Sequence, residues 1–282
     1  LQFVRLVRIT KPTFIVVENV TGLLAKKNED TLRAIFQKFS SLGYRLDVQV
    51  MASEEYGVPE MRRRTIIIGT RINEKAEFPL PTHSLQKQMG RKKAVTVKKA
   101  LASLKTRGGK IYNHDLESAQ VADKIDVKRL KCIPEGKGIR YERDEKALLP
   151  PSLRLGVDWK QLPENRFRQT KYFRLDGNKP GPTIMTHRHS YYHPKEPRFL
   201  TQREAARLQS FPNNFVFEGA LSSQWRQIGN AVPPLLGKAI GHCLIEMLQK
   251  AQKQKRSKKR KKDQAIDAVQ EIRGRAFNYR QV

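Results

Sequence analysis

The sequence predicts an α/β fold in which a short sheet with flanking helices is joined to a smaller, loop-rich domain. Three observations carry that reading. Residues 1 to about 78 alternate strand-like and helix-like segments, residues 79 to about 200 lose the alternation to recurring Pro and Gly, and an amphipathic segment from about Pro234 to Gln249 restores it.

Local pattern defines each element. TFIVVENV, Thr13 to Val20, is β-branched and unbroken, as a strand buried inside a parallel sheet would be. NEDTLRAIFQKFSSLGY then puts Leu32, Ile35, Phe36, Phe39 and Leu42 on one helical face, with Asp30 or Thr31 as cap and Gly43 as stop. RLDVQVMAS and RRTIIIGTRI are a second and third strand, joined through Gly57 and Pro59 and expected to form a hairpin-like pair. In the loop-rich stretch only TVKKALASL, Thr96 to Leu104, reads as firmly helical. TQREAARLQSFP opens a helix with a capping box, Thr201 as cap and Glu204 three residues on, and stops before Pro212. RQIGNAVPPLLGKAIGHCLIEMLQK reads as a Gly/Pro turn into the amphipathic helix, and AQKQKRSKKRKKDQ onward as a disordered or weakly helical basic tail. The expected division is 1–78 (α/β), 79–215 (loop-rich), 216–250 (a return to the first domain) and 251–282 (tail).

Composition narrows the function. With 56 Lys+Arg against 27 Asp+Glu, the formal charge of +29 points to a polyanionic partner, nucleic acid first and an acidic membrane surface second. No apolar run approaches the roughly 20 residues that span a bilayer, and no signal-peptide pattern opens the chain. Cys132 and Cys243 lack CxxC or Cys/His spacing, so neither a disulfide framework nor a zinc site is expected. A dinucleotide fingerprint is missing too: the GKG at Gly136 to Gly138 neither follows a clear strand nor opens a clear helix.

Four segments carry candidate chemistry. Glu18 ends a strand where open α/β sheets place ligands, and either holds a proton there or caps the loop or pairs with an arginine. In YGVPEMRRRTIIIG, strand alternation sets Glu60, Arg62 and Arg64 on one face and Arg63 on the other. That face is either a surface salt-bridge ladder or, since Arg64 runs straight into TIIIG, a pair of guanidiniums needing a buried partner or a ligand. QIGNAVPPLLG sets Gly229 and Pro233 around Asn230, which alone distinguishes nothing from a helix start. THRHSYYHP offers His187, His189 and His193 without an acidic or Cys partner, which favours a basic aromatic loop over a metal site; Arg188, Tyr191 and Tyr192 suit phosphate contact and base stacking.

Taken in order, these segments resemble the DNA cytosine-5 methyltransferases. KPTFIVVENVTGLL is similar to that family's ENV motif, YGVPEMRRRTIIIG to its YGVPQxRxRxxxxG motif, RFLTQREAARLQSFP to its ninth motif and QIGNAVPPLLGKAIG to its tenth. The resemblance implies the C-terminal part of a Rossmann-like methyltransferase sheet with a target-recognition domain over 79 to about 200. It implies methyl transfer from S-adenosylmethionine to carbon 5 of a flipped cytosine in double-stranded DNA. Glu18 then meets ring nitrogen 3, Arg64 the carbonyl oxygen at position 2, Arg62 helps hold the glutamate and Asn19 orders the site. Asn230 and Val232 fall in the segment that completes the cofactor pocket, and Arg188, Tyr191 and Arg203 are expected on DNA. Two departures stand out. The family's Gly-rich cofactor motif and Pro-Cys nucleophile have no counterpart, so a missing N-terminal half or subunit is expected to carry the cysteine, and Glu60 stands where the family usually has Gln. The resemblance implies the cytoplasm of a bacterium, at the nucleoid, or the nucleus of a eukaryote; a non-catalytic DNA-binding relative is the alternative.

Overall fold

A computed structural model describes residues 2–72, 75–102, 104, 111–162, 170–187 and 191–278, with side chains as far as Lys258. Its elements in order are α1 (Gln2–Thr10), β1 (Phe14–Val20), α2 (Glu29–Ser40), β2 (Arg45–Ala52), β3 (Glu60–Met61), β4 (Arg63–Thr70), β5 (His83–Ser84) and β6 (Lys92–Lys93). There follow α3 (Val97–Ala102), α4 (Lys124–Cys132), α5 (Glu142–Leu148), β7 (Gly181–Pro182), α6 (Gln202–Leu208), α7 (Leu221–Asn230) and α8 (Pro234–Asn278). The chain divides into two compact units, Leu1–Val50 with Arg64–Pro79 and Ala239–Val282, and Met51–Arg63 with Leu80–Lys238.

In the first unit the sheet runs β1-β4-β2. Helix α2 turns Phe39 inward against Val7, Ile15 and Tyr44, with Ile35 and Leu42 beside them. Ring edges lock the cluster, Phe39 lying 5.6 Å from Phe3 and 6.5 Å from Tyr44. Two expectations change here. Among the described residues the strand at TFIVVENV pairs only with β4, antiparallel, and Val16 and Val20 are exposed, whereas Ile66, Ile67 and Ile68 of the central β4 are fully buried. Helix α2 starts one residue before Asp30, after Asn28, whose side-chain amide donates to Gly22 O at 2.7 Å instead of capping the helix. Gly43 follows with the positive φ of +83° expected of a stop.

The second unit is loop-rich, as expected, but holds more helix than its composition suggests. Helices α4 and α5 escape a periodicity search because α4 fully buries only Leu130 and α5 fully buries only Glu145. Glu145 accepts from Leu155 N at 2.5 Å and Trp159 Nε1 at 2.7 Å. At α6 the capping box forms as read: Thr201 Oγ1 accepts from Glu204 N at 3.1 Å and a Glu204 oxygen from Thr201 N at 2.8 Å. RQIGN is helical as the end of α7, and the return to the first unit falls at Ala239 instead of 216 because α7 buries Trp225 and Ile228 in the second unit's core. The basic tail is helical to Asn278 as the continuation of α8.

One stretch, Leu221–Lys258, is long and apolar enough to cross a membrane by length and composition only. It is two helices interrupted at Ala231–Pro233, and Trp225, Ile228, Leu236, Ile240 and Met247 within it are buried.

Buried arginines do much of the holding in the second unit. Arg174 donates to the carbonyls of Leu130 (3.2 Å), Ile133 (2.9 Å), His193 (3.4 Å) and Pro194 (2.6 Å). Arg198 forms a two-pronged pair with Glu204, both bonds at 2.8 Å, the side chains 5% and 4% exposed. Arg203, expected on DNA, is corrected by the structure: it is fully buried and donates to Tyr112 O at 2.8 Å, Pro212 O at 2.9 Å, Asn113 Oδ1 at 3.4 Å and Phe215 O. A guanidinium so enclosed has no face left for a phosphate.

Removing that fork orphans several buried acceptors, so Arg203→Ala is expected to cost roughly 3 kcal/mol, seen as a lowered denaturation midpoint. A midpoint within experimental error of the parent would contradict the structural role. Acid should also weaken this unit. His193 sits below its ordinary value through burial and the nearby Arg198 and Arg174, against the pull of Glu204, and its Nδ1 accepts from the Lys195 and Glu196 amides at 3.2 and 3.0 Å. Its neutral form is therefore favoured on folding, a stability present above its unfolded pKa of about 6.5 and lost as pH falls toward the folded value. Burial alone would raise Glu204, but Arg198, the Thr201 amide and His193 together hold it below the usual carboxylate range, so its contribution is lost at lower pH still, as pH falls through the folded value. Melting temperature is expected to fall from about pH 6.5 downward, and His193→Gln should flatten the upper part of that fall; an unaltered profile in the variant would exclude His193.

Candidate functional site

Strand register builds the first unit's site. Antiparallel pairing sets Glu18 opposite Ile66 and Val20 opposite Arg64, so Glu18 and Arg64 lie diagonally on one face. Arg64 Nε donates to Glu18 Oε1 at 2.8 Å, with side chains 14% and 26% exposed. The pair is neither a surface ladder nor sealed in the core. It presents a carboxyl and a guanidinium side by side, a set that can hold a proton against a ring nitrogen and donate to an adjacent carbonyl oxygen. Asn19, one residue on and so on the other face, is exposed, and its Oδ1 accepts from Val20 N at 2.8 Å, which shapes the strand end.

The other half of the charged stretch belongs to the second unit. Glu60 and Arg62 are buried at 0% and 2% exposure while Arg63 is exposed, so the alternation read from the sequence holds although the strand breaks at Arg62. Glu60 Oε1 accepts from Ile184 N at 2.5 Å and lies 3.8 Å from Arg62 Nη1. Arg62 Nη2 donates to Gly229 O at 2.8 Å and Nη1 to Ile184 O at 3.4 Å. Glu18 takes its ion pair from Arg64. Glu60 acts as a buried counter-charge for Arg62, and the oxygen it offers Ile184 is one that Gln would offer as well.

Gly229 is special through close approach and not through a turn: a Cβ there would fall 2.6 Å from the Met185 carbonyl carbon and 2.7 Å from Thr186 N. Asn230 ends α7 exposed, and Val232 is half-buried in the connection to α8. Tyr191 is half-buried against the second unit's core, with its hydroxyl donating to Thr183 O. Burial and the nearby Glu60 push its phenol up to about 12. Arg188 and His189 lie outside the described residues. Among the described residues no group of three or more His, Cys, Asp or Glu is arranged to hold a metal.

Neither cysteine is set up as a nucleophile. Cys132 is exposed at the C-terminal end of α4, in LKCIPEG, without the Pro-Cys context of the family's nucleophile. Cys243 is buried, its Sγ donates to Glu77 O at 3.4 Å, and burial together with Glu77 pushes its thiol up.

The profile of the C-5 cytosine-specific DNA methylases matches residues 1–246. Type II methyltransferase M1.HphI of Haemophilus parahaemolyticus is 32% identical over 87% of this chain and 60% of its own length. M.NgoFVII of Neisseria gonorrhoeae is 34% identical over 83% of this chain and 58% of its own. The chain therefore spans about three-fifths of the length of these curated relatives. Its fold is similar to the crystal structure of a protein described as a DNA modification methyltransferase encoded within an Escherichia coli prophage, with a TM-score of 0.62 and 26% identity over 88% of this chain and 73% of that one. With the profile running from the first residue to within α8 over a mixed α/β methyltransferase fold, the chain belongs to the C-5 cytosine-specific DNA methylase family.

Proposed function

We propose that this chain contributes to the transfer of a methyl group to carbon 5 of a cytosine flipped out of double-stranded DNA, in the bacterial cytoplasm. The Glu18–Arg64 pair is the observation that carries the reading. A thiolate attacks carbon 6 of the ring, the new C–S bond pushes electron density toward carbon 5, and carbon 5 takes the methyl group. As the ring gains negative charge, Glu18 holds a proton at nitrogen 3 and Arg64 donates to the oxygen at position 2. Afterwards the proton on carbon 5 leaves and the sulfur is expelled, which restores the ring and the thiolate. Since Cys243 is buried with a raised thiol and Cys132 in LKCIPEG lacks the family's Pro-Cys context, the thiolate in this proposal comes from a segment other than these 282 residues. S-adenosylmethionine, when bound, supplies the methyl group as an electrophile, and Asn230 and Val232 are the residues of this chain proposed to line its pocket.

In an assembly competent for transfer, Glu18→Gln is expected to lower incorporation of labelled methyl groups into duplex DNA by about 10²–10⁴-fold, and Arg64→Ala by about 10²–10³-fold. Duplex affinity should stay within a few-fold in both. Parallel loss of affinity and rate would contradict the roles assigned. For this chain alone, calorimetry should detect only weak binding of S-adenosylmethionine; tight binding would overturn the division of labour.

A further inference from the structure

Between Leu80 and Lys99 the sequence carries Lys87, Arg91, Lys92, Lys93, Lys98 and Lys99 and no acidic residue. The structure turns this stretch into an anchored loop. Strands β5 and β6 pair through Lys92 N to Thr82 O at 2.9 Å and Ala94 N to Ser84 O at 2.8 Å, and Thr82 N donates to Glu55 O at 2.9 Å. The excursion between them, residues 85–91, turns where Arg91 N donates to Gln88 O at 3.2 Å, with Gly90 at φ +77° in the position that requires a left-handed residue. At its tip Met89 is 99% exposed, and Leu85 is 52% exposed. Lys87, Arg91 and Lys93 line a surface cleft with Leu85 and Gln86, and none of the three has an ion-pair partner among the described residues. The local field is positive enough that His83, lowered first by burial, is lowered further by Lys92 and Lys99.

Cations of one sign held on a fixed loop around an extruded apolar tip repel each other and leave the methionine in water unless a polyanion with an apolar groove covers them. We propose that the loop at residues 85–93 is a second DNA-contacting element, with Lys87, Arg91 and Lys93 on backbone phosphates and Met89 inserted in the groove between them. This deepens the reading of duplex DNA as the substrate and rests on it. Arg203 being part of the core removes one contact expected on DNA, and this loop supplies contacts the motifs do not cover. Apolar side chains such as Met placed between basic flanks are a recurring way to grip a groove.

The test measures affinity of this chain for a duplex of arbitrary sequence by fluorescence anisotropy across a salt series. A Lys87→Ala, Arg91→Ala, Lys93→Ala variant is compared with a charge-matched control, Lys26→Ala, Lys27→Ala, Lys38→Ala, whose positions are in the first unit. Each phosphate contact contributes roughly 0.9 to the slope of log K against log salt, so the loop variant should lose about 2 to 3 in slope and the control little. Met89→Ala should weaken binding several-fold with the slope unchanged. All the loop positions are on the surface, and circular dichroism checks that each variant folds. Equal slopes in the loop and control variants, with the parent binding tightly, would overturn the loop assignment while the DNA reading stands. A parent with no salt-dependent duplex binding would overturn both. Unaltered duplex binding with lost binding of polyglutamate would give the loop to an acidic protein partner and refute the proposal.

Discussion

Guanidinium groups turned toward the backbone are what the second unit depends on. A loop-rich chain leaves many carbonyl oxygens without a ladder or helix partner, and a buried carbonyl without a donor costs free energy comparable to a lost hydrogen bond. Arginine carries five donors in one rigid plane and suits several converging carbonyls at once. Arg174 serves four of them, Arg203 three together with Asn113, and Arg129 reaches Leu153 O at 2.8 Å and Arg154 O at 2.9 Å from the side of α4. Part of the +29 charge is therefore internal framework, and only the outward remainder is available to a polyanion.

The same two chemical groups do different work at different depths. Arg198 and Glu204 are both nearly sealed and bonded at two points, with Glu204 also closing the cap of α6. Breaking that pair strands a charge in the core, so it behaves as a fixture. Arg64 Nε donates to Glu18 Oε1 at 2.8 Å, and both side chains remain partly open to water. A pair of that kind can trade its mutual contact for a ligand's at small cost, which the sealed pair cannot.

Some of this was legible in the residues. The capping box at Thr201 and Glu204 needs only local spacing, and it formed as read. Alternation set Glu60 and Arg62 on one face and Arg63 on the other, and the structure buries the first face and exposes Arg63, since period two survives a one-residue gap in pairing. What resisted reading depended on distant neighbours. TFIVVENV carries the composition of an interior strand, yet burial is decided by which strands lie beside it, and here β4 takes the centre. Arg203 carries the same charge as a surface arginine, and its direction is set by carbonyls about 90 residues upstream and about 10 downstream. A cue was present in its setting, for α6 also buries its neighbours Gln202, Glu204, Ala205 and Ala206, so hardly any side of that helix is wet.

The diagonal between Glu18 and Arg64 also says which insertions and deletions the chain can bear. Register between β1 and β4 is written by side-chain contacts across the strands, so residues added between Gly22 and Asn28 would leave the carboxyl and the guanidinium facing each other. A single residue inserted between Arg64 and Ile66 would turn Arg64 to the opposite face of the sheet while every helix stayed in place. Length changes can therefore accumulate in the connections of this fold, while the Glu18–Arg64 diagonal tolerates none between Glu18 and Val20 or between Arg64 and Ile66.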